Sequence, residues 1–91
     1  MQWEKSASDK LDLLVQVVRD PFRGIIKSTA QAHAENYAQV RKSPHVTPKE
    51  AVLGFLRARS HKLSSEGKMI LDEHQLLEED FNNYPSTLTT K

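Results

Sequence analysis

Apolar positions recur at helical spacing through the first two-thirds of the chain. Ala7, Leu11, Leu14 and Val18 step by four, three and four residues, which is one face of a helix, and Leu13 and Val17 widen it. They predict a first helix over about residues 7–19, with Ser6 as N-cap and Asp9 in the acid-favouring first turn. The run Val15, Val17, Val18 has strand propensity, but the spacing favours helix. Asp20-Pro21 is the next punctuation. Proline suits the first position of a helix, because its missing N–H is an orphan there anyway. From it a second helix is predicted over 21–42, with a stripe of Phe22, Ile26, Thr29, His33, Tyr37 and Val40 supported by Ile25 and Ala30. The alternative is one nearly continuous rod kinked at Pro21.

Ser43-Pro44-His45 reads as a short loop. Thr47-Pro48-Lys49-Glu50 then gives the clearest local signal: a capping threonine, proline at the first helical position and glutamate where a capping box needs its carboxylate. The third predicted helix runs to about residue 63, with Val52, Phe55, Leu56 and Leu63 on its apolar face. Ser64-Ser65-Glu66-Gly67 reads as its end. Beyond it Ile70, Leu77 and Phe81 keep helical spacing, with His74 filling the gap, and predict a short helix over about 72–81. Residues 84–91 lack periodicity and read as disordered.

The expected fold is therefore all-α: a three-helix domain over residues 1–63, followed over 64–91 by an acidic, flexible or short-helical extension. Composition agrees with a single small domain, since 91 residues leave no room for a second. The longest apolar stretch, Leu13 to Val18, is broken by Gln16 and falls far short of a membrane span. No leader pattern is read at the N-terminus, and a cytoplasmic location is the expectation. The absence of cysteine excludes disulfides, thiolate metal sites and a cysteine nucleophile. Three scattered glycines exclude a phosphate-cradling loop.

The net charge of +1 hides an asymmetry. Residues 1–63 carry eleven Lys/Arg against six Asp/Glu, and residues 64–91 carry two against six. A basic body with an acidic tail reads either as an anion-meeting body with a docking tail or as a soluble domain with a solvating extension. Four histidines, His33, His45, His61 and His74, lack the i,i+3 or i,i+4 pairing of a helical metal site. No serine lies in a nucleophile elbow, and the acidic runs Asp72-Glu73 and Glu78-Glu79-Asp80 read as solvated. No catalytic, cofactor or metal-binding residue is expected, and the chain does not read as an enzyme. Arg19, Arg23, Lys27, Arg41, Lys42, Arg57, Arg59 and Lys62 would serve nucleic acid only if gathered on one surface. The third helix would then be the reader, offering Arg57, Arg59 and His61 from its C-terminal half. Trp3 reads as a lid over one end of the bundle, against the alternative of an exposed anchor for a partner.

Trp3-x-x-x-Ala7-x-x-x-Leu11, Val18-Arg19, Glu35-x-x-Ala38 and Val46-Thr47-x-x-Glu50 follow in an order that resembles the PCP-reductase-type domain. That small helical domain closes the B subunit of light-independent protochlorophyllide reductase and also occurs as free-standing bacterial proteins. The resemblance covers about residues 3–63. Val15 stands where the family usually has proline, the distance from Arg19 to Glu35 is longer by about two turns, and Ser43-Pro44 replaces the usual glycine. In the parent enzyme the chemistry lies in larger domains that hold an iron–sulfur cluster. The resemblance therefore implies an accessory module linked to photosynthesis or tetrapyrrole metabolism, with no catalytic residue to carry across.

Together these readings favour a non-catalytic protein-interaction module. Its expected surface joins Arg57, Arg59 and Lys62 of the third helix to Leu76, Leu77 and Phe81 of the extension, which either packs on the body or clasps a partner. The alternatives are a nucleic-acid binder using the same basic face, and a tetrapyrrole-binding accessory protein lined by Phe22, Tyr37 and Phe55.

Overall fold

A computed structural model describes residues 2–60 and 62–84. It is mostly helical, but among the described residues it holds five helices and two short strands rather than three helices alone. In order these are β1 (Gln2–Trp3), α1 (Lys5–Val15), α2 (Phe22–Val40), β2 (His45–Val46), α3 (Pro48–Arg59), α4 (Ser65–Glu73) and α5 (Glu78–Asn82).

The strands pair in parallel, Gln2 with His45 and Trp3 with Val46. This pairing moves the start of α1. Glu4 N–H donates to the Val46 carbonyl, and the Glu4 carbonyl accepts from Ala7 and Ser8 N–H, so the helix opens at Lys5 and not after Ser6. The other end comes early too. Regular α-helix stops at Val15, and Gln16, Val17 and Val18 continue with tighter i→i−3 bonds. Pro21 has no N–H to extend the ladder, and the Arg23 side chain takes the Val18 carbonyl at 3.0 Å. The chain therefore breaks between α1 and α2 instead of forming one kinked rod. The Asp20–Pro21 bond is cis, and Pro21 stands just outside α2.

The end of α2 is a Schellman motif: Ser43 N–H reaches the Ala38 carbonyl at 2.8 Å and Lys42 N–H the Gln39 carbonyl at 3.1 Å. Lys42 takes the left-handed conformation (φ 58°) that such an end usually gives to glycine. The same device ends α4. Leu76 N–H bonds the Leu71 carbonyl at 2.8 Å, Gln75 N–H bonds Asp72, and Gln75 has φ 59°. This turn splits the single helix expected over 72–81 into α4 and α5. Ser64 opens α4 instead of helping to close α3, because its Oγ accepts the Gly67 N–H at 3.0 Å.

At the centre lies α3, buried on every residue from Glu50 to Leu56. Its neighbour α2 is buried at Ala30, Ala34, Tyr37 and Ala38, so Tyr37 of the expected stripe and its supporting Ala30 are core, and the small Ala34 and Ala38 join them. Phe22 and Ile25 are in fact exposed. Gly54 explains the choice. A methyl group added there would come within 2.5 Å of the Ala30 carbonyl oxygen and 2.6 Å of the Ala34 nitrogen. Only small side chains let two helices approach so closely.

Leu71, Leu76 and Phe81 join Leu11, Val46 and Phe55 in one core. The acidic segment up to Tyr84 is thus part of the packed body and not a loose extension. The disorder expected over 84–91 does not hold at Tyr84, which packs against the core, and residues 85–91 lie outside the described residues.

Candidate functional site

Of the six residues expected to form a docking surface, three are occupied in holding the fold. Phe81 and Leu76 are buried. Arg57 is half-buried, with its guanidinium 4.5 Å from the Tyr84 ring centroid and 5.3 Å from that of Phe81. These rings cover Tyr37, whose hydroxyl donates to the Phe81 carbonyl at 2.6 Å. Burial pushes the Tyr37 hydroxyl pKa above its usual range, and the Arg57 cation offsets part of that rise. Tyr84 also accepts from Asn36 Nδ2 at 2.8 Å and bonds His33 Nδ1. Of the two alternatives for this segment, Leu76, Phe81 and Tyr84 take the first and pack on the body.

Three other candidate cations are likewise engaged. Lys27 pairs with Asp12 at 2.8 Å, and Arg23 lies 4.0 Å from Asp20. Arg41 bridges two carboxylates, Glu50 at 2.7 Å and Asp80 at 3.2 Å. Each of these acids also caps a helix: Glu50 accepts from Thr47 N–H at 2.8 Å, and Asp80 from Leu77 N–H at 2.9 Å. The capping glutamate read from the sequence is thus buried and tied to a second helix start 30 residues on. Among the described residues no group of three His, Asp or Glu side chains is placed to hold a metal. His45 meets Glu4 at 2.5 Å, and His74 bonds the Ile70 carbonyl. His61, named with Arg57 and Arg59 as a base reader, lies outside the described residues. Trp3 is half-buried against the core and donates its indole N–H to Glu35 at 3.0 Å, as a lid would.

Among the described residues a groove of about 460 Å³ lies open between α1 and α4. One wall is Lys10, Leu13 and Leu14 of α1 with Val17 of the turn behind it. The opposite wall is Glu66, Met69, Ile70 and Glu73 of α4. Phe55 and Arg59 of α3 form the floor, with the Arg59 guanidinium 5.7 Å from the Phe55 ring centroid. Leu13, Val17 and Met69 are 60–70 % exposed here, so large apolar side chains face water at a concave surface. A smaller hollow of about 300 Å³ adjoins it through Arg59, Glu66 and Ile70, and Lys62 lies on its edge. Leu77, also exposed, lines a third hollow on the far side of Met69. Of the expected surface, Arg59, Lys62 and Leu77 thus border this region.

The groove was hidden in the sequence because Leu13 and Val17 fit the first helix's apolar face. The signal that could have found it is an apolar arc too wide for one interface: Leu13, Leu14, Val17 and Val18 beside Ala7, Leu11 and Val15. Family models, curated proteins and solved structures offer no match to this chain. No helix among the described residues is long and apolar enough to cross a membrane.

Proposed function

We propose that this chain is a non-catalytic protein-interaction module whose docking surface is the groove between α1 and α4. The observation that carries this reading is the convergence of exposed Leu13, Val17 and Met69 on one concavity floored by Phe55. Full burial of such a side chain gains about 1.5–3 kcal/mol, and these three, 60–70 % exposed, keep roughly two-thirds of that gain for a partner to recover. Arg59, at the centre of the floor, supplies a planar cation of the kind enriched at interface hot spots.

The nucleic-acid reading has less support, because Arg23, Lys27, Arg41 and Arg57 are held by the protein's own acids and rings. Random-sequence duplex titrated at two salt concentrations tests it, since phosphate binding must weaken steeply with salt. The kinship with the PCP-reductase-type domain, and the tie to photosynthesis it implies, rest on the sequence resemblance. The residues that carry it are fold builders: Trp3 holds Glu35, Glu50 caps α3, and Ala7, Leu11 and Ala38 are core. Of the residues offered for a tetrapyrrole, Phe55 lines the groove, Tyr37 is core and Phe22 is exposed.

A photo-crosslinking residue placed at Met69 tests the proposal, with Phe22 as the exposed apolar control. In the native host, position 69 should give a discrete protein adduct and position 22 none. No adduct at 69, or equal labelling at both positions, sinks the reading.

A further inference from the structure

We infer that the occupant of the groove is an amphipathic α-helix from a partner protein, with acidic side chains along one edge and basic ones along the other, and that this polarity sets its direction. The inference rests on the groove being a docking surface.

Both walls show the same spacing. Lys10, Leu13, Leu14 and Val17 fall at i, i+3, i+4 and i+7, and so do Glu66, Met69, Ile70 and Glu73. Each wall therefore presents two turns, roughly 10 Å of helix length, with Lys10 at one end of the α1 wall and Glu66 and Glu73 at the two ends of the α4 wall. A helix laid between them offers anchors at the matching interval. An extended peptide fits less well. The walls are mainly helical, so their backbone N–H and C=O groups are largely spent within them, and an occupant must satisfy its own. A helix does so.

The charges differ between the walls. Lys10 stands on the α1 side, and Glu66 and Glu73 stand one heptad apart on the α4 side. None of the three takes part in an ion pair among the described residues. Glu66 suits the first turn of α4, where the helix dipole favours an anion. Glu73 does not. It closes the last turn, where the dipole disfavours negative charge and where no basic residue accompanies it. Its position serves a cation from outside. A bound helix would thus turn Lys or Arg side chains towards α4 and Asp or Glu towards α1. Reversing a helix end for end exchanges its edges, so the two walls select one direction of docking.

The test uses the whole chain and three synthetic helices with one apolar stripe: a bipolar one, one with both edges acidic and one with both basic. Fluorescence anisotropy should show the bipolar helix binding at least tenfold tighter than either of the others. A nitroxide on its N-terminus should broaden amide signals at one end of α1 only. In the Lys10→Glu/Glu66→Lys/Glu73→Lys variant the broadening should move to the other end, with the thermal melt of the free protein unchanged. Equal affinities, or a direction that does not reverse, would overturn the charge polarity while leaving the docking groove standing. No binding by any helix, or binding indifferent to Leu13→Asp/Met69→Asp, would overturn the groove itself. A dimer in sedimentation that protects Met69 would replace the partner helix by a second copy.

Discussion

Where α2 crosses α3, Ala30, Ala34 and Gly54 let two backbones touch, and nothing is left exposed between them. Where α1 faces α4, Leu13, Val17 and Met69 are large, and the two helices stand apart over Phe55 with their side chains in water. The contrast lies in how helices approach each other: small side chains bring α2 onto α3, while large apolar ones on α1 and α4 stay in water beside a core that also holds Tyr37, Phe55 and Phe81. Packing density explains it: close approach of helices gains dispersion contacts along both backbones, and a methyl group in the wrong place forfeits them.

The sharpest way to break this contrast is at Gly54. Gly54→Val should cost about 4 kcal/mol in urea unfolding, because its Cβ meets backbone atoms that cannot swing aside. Even Gly54→Ala should destabilise, against the gain of about 1 kcal/mol that alanine brings to a helix. A more stable Gly54→Ala protein would mean that the helices do not approach this closely. Next comes Glu50→Ala, expected to lose about 2 kcal/mol: roughly 1 for the cap and the remainder for the buried ion pair, discounted because Arg41 keeps Asp80 and is 30 % exposed.

Tyr37→Phe should cost about 1 kcal/mol at neutral pH by orphaning the Phe81 carbonyl. It also has a pH signature. The folded-state pKa of Tyr37 is raised, so its contribution is complete below the unfolded value of 10.0 and is lost as pH climbs from there towards the folded value. The native protein should therefore lose stability above about pH 10 more steeply than the Phe variant, as urea midpoints at several alkaline pH values would show. Smaller still is Gln75→Gly, which relieves a left-handed residue and should raise the unfolding midpoint by about 0.5–1 kcal/mol equivalent. The smallest effect belongs to the groove. Leu13→Ser/Met69→Ser should leave stability within about 0.5 kcal/mol, and a larger loss would show that these side chains belong to the core after all.

The same contrast explains what could be read from the sequence. Thr47, Pro48 and Glu50 announce α3 because a capping box is local chemistry, complete within four residues. The burial of α2 was legible at Tyr37 and Ala30 but not at Ala34 and Ala38, because alanine carries little weight in a hydrophobic stripe while the exposed Phe22 and Ile25 carry much. The break between α4 and α5 gave no sign, since Gln75 adopts a conformation that glycine usually signals. The strand pairing of Gln2–Trp3 with His45–Val46 is long-range, and two residues are too few to show alternation. As for the candidate site, Arg59 and Lys62 were named from charge and Leu77 from its place in the apolar spacing of the extension, and all three border the groove or the hollows beside it. Leu13, which helps to define it, reads as widening the first helix's apolar face, and Met69 was not singled out.

Arg41 carries one last implication. A single guanidinium serves the starts of both α3 and α5, so these distant stretches form one cooperative unit. Their slowly exchanging amide protons should disappear at a common rate, with the starts of α3 and α5 opening together.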